Sequence, residues 1–278
     1  MLRRLLTLLI TLALCTGVVR AGDVDDADAA LLKEDYATAL KKYKNAAEKK
    51  DGYAQFQVGN LYFAGNGVAQ DYAEAVRWFK LAAAQGRAGA QLSIGLMYSR
   101  GRGVVKDYAE AVRWFKLAAA QGDADAQNNL GVMYSRGRGV VQDYAEAVRW
   151  YKLAAAQGRA GAQLSIAVMY YEGQGVAQDY AEAMRWLKLV AALGHAGAHD
   201  ASASSTIGEM YDNGKGVLQD YVRAHMWYNL AAVKGDADAV KNRELVEKKM
   251  TPQQLAEAQK LARECLARDF TPDFMKCD

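Results

Sequence analysis

The chain has 278 residues, with 35 Lys and Arg against 32 Asp and Glu, and its only two prolines, Pro252 and Pro272, stand near the C-terminal end. Three of the basic residues, Arg3, Arg4 and Arg20, lie in a leader-like segment without acids, so the remainder balances at 32 against 32. A neutral chain argues against nucleic-acid binding, which relies on many phosphate contacts and a clear basic excess, and the scarcity of proline suits a helical array.

Residues 1–21 carry Arg3 and Arg4, a 15-residue apolar run from Leu5 to Val19, and small residues at Val19 and Ala21. This predicts a cleaved secretory signal. The run is shorter than the roughly 20 residues a spanning helix needs, so no stable membrane span is expected after cleavage. Leu14, just before Cys15, stands where lipidation wants a small residue. The processed protein is expected in the periplasm or secreted. Residues 22–53 read as a lead-in and N-terminal capping unit: a short mobile stretch over 22–27 with Asp23, Asp25 and Asp26, then one degenerate helix within 29–52. Lys42 stands there in the place later copies give to tryptophan, as a water-facing end of a stack requires.

From there the chain repeats. Asp35, Asp71, Asp107, Asp143 and Asp179 each open an Asp-Tyr-Ala step 36 residues after the last, and Asp220-Tyr221-Val222 follows after 41, so five extra residues interrupt the period once. Five units result, 54–89, 90–125, 126–161, 162–202 with the insertion, and 203–238, followed by C-terminal capping helices in 239–278. A fixed period of this length predicts stacked supersecondary units.

Within residues 71–106, Asp71 and Glu74 form an Asp-x-x-Glu start that satisfies the first backbone N–H groups of a helix. Tyr72, Ala75, Trp78, Phe79, Ala82 and Ala83 make its apolar face, and Gly86 ends it in the left-handed conformation open to glycine. A second helix follows from about Ala88 to Ser99, closed by Gly101 and Gly103. Each unit is a helical hairpin too short to bury its own face, so stacking is obligatory. All five tryptophans, Trp78, Trp114, Trp150, Trp186 and Trp227, occupy one place in the unit and are expected to be structural wedges between hairpins.

The pattern A-x-x-x-x-G-x-M-Y-x-x-G-x-G-V-x-x-D-Y-x-x-A-x-x-W-F/Y-x-L-A-A-x-x-G, read from Ala90 to Gly122, resembles the Sel-1-like repeat, a relative of the tetratricopeptide repeat. The resemblance covers residues 54–238. It implies an all-α fold, an α/α superhelical solenoid with a concave binding face, and an adaptor role. Exported bacterial members imply work in envelope assembly, signalling or host interaction. Cysteine-rich relatives carry a pair in every repeat; this chain has none inside its repeats, so their properties do not transfer.

Beyond the repeats, residues 237–248 favour a helix, and Thr251-Pro252-Gln253-Gln254 combines an N-cap, a proline at N1 and a capping-box glutamine ahead of a helix from about Pro252 to Arg268. Cys265 and Cys277 form a possible disulfide in an oxidising compartment, the alternative being two thiols in a frayed terminus.

Several places invite a chemical reading. His195 and His199, four apart and followed by Asp200, have a spacing that suits Zn²⁺, but they lie in a turn at the insertion and read as exposed turn residues. Ser202, Ser204 and Ser205 read as loop composition rather than part of a triad. The Gly-x-Gly turns follow helices and recur in every unit, unlike a nucleotide loop. No metal, cofactor or catalytic residue is assigned, and the near-identity of the copies argues for a non-enzyme, since an active site needs one unique constellation.

A stronger candidate is a charged ridge. Arg77, Arg113, Arg149 and Arg185 share one place in four successive units, with Lys80, Lys116, Lys152 and Lys188 one turn on. On a concave side they could hold an acidic peptide or an anionic envelope polysaccharide. Glu74, Glu110, Glu146 and Glu182, three residues before each arginine, would instead neutralise a solvated face. The reading is therefore a non-catalytic, exported scaffold for protein partners of unknown identity. The alternative is a glycan-binding component of polysaccharide or cell-wall assembly, and a hydrolase is a third.

Overall fold

The computed structural model describes residues 22–192 and 198–267, where it holds fourteen helices and no strand. Residues 1–21, His195, the His199 side chain and Cys277 lie outside the described residues. The chain divides into two units, residues 1–107 and 108–278.

The first unit contains α1 (Gly22–Leu32), α2 (Tyr36–Glu48), α3 (Gly52–Ala64), α4 (Tyr72–Ala84) and α5 (Ala88–Arg100). The expected mobile lead-in is in fact a helix. Asp23 and Asp25 in its first turn suit the positive end of the helix dipole, and Val24, Ala27 and Ala30, three apart, are buried together. Acids on α1 then meet bases on α2. Asp26 accepts from Lys42 at 2.8 Å and Asp23 from Lys49 at 3.0 Å, so Lys42 does not face open water but lies under the carboxylates of an added helix. Asp28 accepts hydrogen bonds from Tyr43 and, at 3.0 Å, from Tyr53.

The hairpin of α4 and α5 forms as its sequence dictates. Asp71 accepts from the N–H groups of Ala73 and Glu74 at 2.9 and 3.0 Å, and Gly101 closes α5 at φ +67°. The apolar face is rotated from the expected one. Ala75, Val76, Phe79, Ala82 and Ala83 are buried, and Phe79, only 1% exposed, is the wedge. Trp78 is half-buried at the flank, and its Nε1 donates to Glu74 at 2.9 Å.

The second unit contains α6 (Tyr108–Ala120), α7 (Ala124–Arg136), α8 (Tyr144–Ala156), α9 (Ala160–Glu172), α10 (Tyr180–Ala192), α11 (Ala198–Asn213), α12 (Tyr221–Val233), α13 (Ala237–Glu247) and α14 (Pro252–Ala267). Phe115, Tyr151, Leu187 and Tyr228 take the place of Phe79 and are buried. Trp114, Trp150 and Trp186 are half-buried, and Trp186, like Trp78, packs against the core of the preceding hairpin. Trp227 alone of the five is fully buried, at 2% exposure, because α13 and α14 both pack on α12 and extend its core to Val246, Ala262 and Cys265.

Three of the five extra residues lengthen α11, which has 16 residues where α9 has 13. Ser202, Ser204 and Ser205 are therefore helical rather than loop residues. Helix α14 starts with the expected capping box: the Thr251 N–H donates to Gln254 Oε1 at 2.9 Å, and the Gln254 N–H donates to Thr251 Oγ1 at 3.3 Å.

Candidate partner-binding groove

The arginine ridge is exposed and neutralised in place. Arg77 pairs with Glu74 at 2.7 Å, Arg113 with Glu110 at 3.8 Å, Arg149 with Glu146 at 3.2 Å and Arg185 with Glu182 at 2.6 Å, all i,i+3. The Arg185 hydrogen bond holds the Glu182 carboxyl below its usual range. Lys80, Lys116 and Lys152 lie over the rings of Tyr98, Tyr134 and Tyr170 at 5.9, 5.7 and 5.5 Å. Lys188 is partly desolvated, and burial pushes its pKa down, helped by the charge of Arg223. These helix faces already carry the partners they need.

A groove opens elsewhere. In the first unit, Asn60 and Phe63 of α3 face Ser93, Leu96 and Arg100 of α5 across a space of about 140 Å³, with Phe79 and Met97 beneath and Arg102 at its end. Helical spacing explains the lining. Residues 60 and 63 lie one turn apart on α3, and 93, 96 and 100 follow at three and four on α5, so each helix turns one stripe to the gap. Arg77 and Lys80 are not among the lining residues.

In the second unit the corresponding places of α9 and α11 are bridged by side chains. Tyr171 donates to Glu209 at 2.7 Å, and Lys215 bonds Tyr171, lies 4.7 Å from its ring centre and reaches Glu209 at 3.4 Å. Burial raises the Tyr171 pKa against the opposing effect of Lys215, and the bond to Tyr171 raises that of Lys215.

The copies differ on the helices that make these grooves. Helices α4, α6 and α8 are identical except for Tyr151. Against that sameness, residues 60, 96, 132, 168 and 209 are Asn, Leu, Val, Val and Glu, and residues 63, 99, 135, 171 and 212 are Phe, Ser, Ser, Tyr and Asp. The recurring positions mark the fold; the positions that differ between copies mark the groove.

The remaining candidates are structural or lie outside the described residues. Asp200, weighed as a zinc ligand beside His195 and His199, is buried and paired with Lys234 at 2.6 Å. Among the described residues no group of three His, Cys, Asp or Glu could hold a metal ion. His225 is buried, with Nε2 2.9 Å from Glu247. Cys265 is buried with its Sγ 3.9 Å from Met226 Sδ.

Five stretches match the Sel1 repeat family: 52–86, 88–123, 124–158, 160–195 and 205–236. A crystal structure of a Sel1 repeat protein from Oxalobacter formigenes is similar at 32% identity and a TM-score of 0.70, over 87% of this chain and 99% of that one. A protective antigen of uropathogenic Escherichia coli with an SLR fold is similar at 26% identity and a TM-score of 0.52, over 87% and 81% of the two chains. No curated protein matches. With matched repeats over more than half of its length, built as the helical hairpins described above, the chain belongs to the Sel1 repeat family and has its all-α solenoid fold.

Proposed function

We propose that the protein is an exported, non-catalytic scaffold that binds polypeptide partners in extended form on the diverging stripes of α3 and α5 in the first unit and of α7 and α9 in the second. Sel1 repeats generally bind proteins, which supports the coarse part of this reading. The observation that carries the finer part is the contrast between copies. Helices α4, α6 and α8 are held nearly constant, while the matching place on the partner helices passes from Asn60 to Leu96 to Val132 and Val168, the first three half-buried and Val168 exposed. A surface that only packs against identical neighbours has no reason to vary, whereas one that reads successive side chains of an extended partner does. The leader in residues 1–21 supports export to the periplasm or beyond, where Cys265 and Cys277 would join.

The test is affinity capture from an envelope extract. A chain carrying Leu96→Glu, Val132→Glu and Val168→Glu is expected to lose partners that the native chain retains, and one carrying Arg77→Glu and Arg149→Glu to keep them. The reverse pattern would return the binding surface to the charged ridge.

A further inference from the structure

The geometry points to the α3–α5 groove as a receptor for an extended polypeptide segment in which a large apolar side chain stands beside a carboxylate, the side chain entering between Phe63 and Leu96 and the carboxylate meeting Arg100 and Arg102. This assignment rests on the proposed scaffold function and supplies the chemistry of one partner segment.

The interior of the groove asks for an apolar group. Phe79 and Met97 form its floor, each 1% exposed, and Phe63 and Leu96 its walls. The polar side chains there are already engaged with their own helices: Asn60 donates to Gln57 at 2.8 Å, and Ser93 to the Gly89 carbonyl at 2.8 Å. At about 140 Å³ the space suits one large side chain, the kind of anchor that dominates peptide binding.

The rim asks for an anion. Arg100 and Arg102 form no ion pair among the described residues. Arg102 is held at the mouth by stacking, 5.5 Å from the ring centre of Tyr72, which itself lies 5.4 Å from that of Phe63. A guanidinium so placed presents its N–H fork to a carboxylate.

The second unit shows what completes such a place. There Tyr171, Glu209 and Lys215 stand where Phe63, Leu96 and Arg102 stand in the first, and the Lys215 ammonium is answered by the chain's own Glu209. The first unit has two cations at its groove and no Glu209 counterpart, since Leu96 fills that position. An aromatic or aliphatic side chain two residues from Asp or Glu, on the same face of an extended segment, supplies both missing parts at once, whereas a free inorganic anion leaves the apolar floor bare.

Fluorescence anisotropy tests this with the full chain and a labelled flexible hexapeptide containing a single Asp-Ala-Phe step, whose Asp and Phe share one face when extended. Saturable binding is expected, weakened at least tenfold when the peptide's Asp becomes Asn or its Phe becomes Ala. Arg100→Glu combined with Arg102→Glu is expected to weaken it at least tenfold, and Ser93→Trp to abolish it by filling the groove. Arg77→Glu should bind as the native chain does, and circular dichroism melts check that every variant is folded. Absence of binding, equal binding of the Asn peptide, or indifference to the folded groove variants overturns the assignment. If the hexapeptide fails while crosslinkers at Leu96 and Val168 still capture a polypeptide, the scaffold function stands and this groove chemistry falls.

Discussion

The Tyr151 ring occupies the space a side chain on Gly131 would need: a Cβ there would lie 2.5 Å from Tyr151 Cδ1 and Cε1. Gly59 and Phe79 have the same relationship at 2.6 Å, and Gly208 and Tyr228 at 2.7 Å. In the remaining hairpin of the second unit the glycine position holds Ala167, and there the aromatic is replaced by Leu187; both are 1% exposed. Ring and hydrogen trade against methyl and leucine at one packing site. Gly131→Ala is therefore expected to destabilise the fold by about 1–3 kcal/mol through overpacking, and adding Tyr151→Leu to recover part of the loss. Thermal unfolding followed by circular dichroism reads both, and additive losses would contradict the coupling.

The turn glycines separate two kinds of cost. At Gly158 φ is +80° and nothing lies within 4 Å of a Cβ, so Gly158→Ala should cost only the left-handed strain, about 1–2 kcal/mol. At Gly139 φ is +71° and a Cβ would overlap the carbonyl of Tyr108, a backbone group that cannot swing aside. Gly139→Ala should exceed Gly158→Ala by at least about 1 kcal/mol in the same unfolding measurement.

Tryptophan is not equally important in every hairpin. Trp227→Ala, at a fully buried site, should cost about 3–5 kcal/mol. Trp150→Ala, at a half-buried flank, should cost about half of that or less. Equal losses would restore the tryptophans as the wedges.

Alkali should loosen the N-terminal hairpin. Burial pushes the Tyr43 hydroxyl well above its ordinary range, and its hydrogen bond to Asp28 adds to the effect. The folded pKa is raised above the unfolded one, so this contribution to stability is complete below about pH 10 and is lost as pH rises from there toward the folded value, on the order of 1.4 kcal/mol per pH unit in between. Unfolding midpoints across pH 9–11 should fall in the native chain, and Tyr43→Phe should flatten that dependence.

Most of the helical framework was legible in the sequence because its signals are local. Asp71, Asp143 and Asp220 cap helices through their own side chains, and the 36-residue period, interrupted once by five residues, places the hairpins. Less legible was anything set by a neighbouring element. Helix α1 is held by packing Val24, Ala27 and Ala30 into one core with Ala39, Leu40 and Tyr43 of α2, with Lys42 and Lys49 meeting its acids at the edge, and the buried face of α4 centres on Phe79 rather than Trp78 because Gly59 leaves room for the ring. The groove was hidden for a related reason. Its walls are residues of two helices that meet only after folding, and the repetition that reveals the fold draws attention away from the few positions where the copies differ.

The central claim, that the diverging stripe grips extended polypeptides, is tested most directly by site-specific photocrosslinking in cells from Leu96, Val132 and Val168, with Arg77 and Arg149 as reference positions. Polypeptide adducts are expected from the first three positions and not from the two arginines. Adducts confined to the arginine positions, or equal at all five, would contradict it.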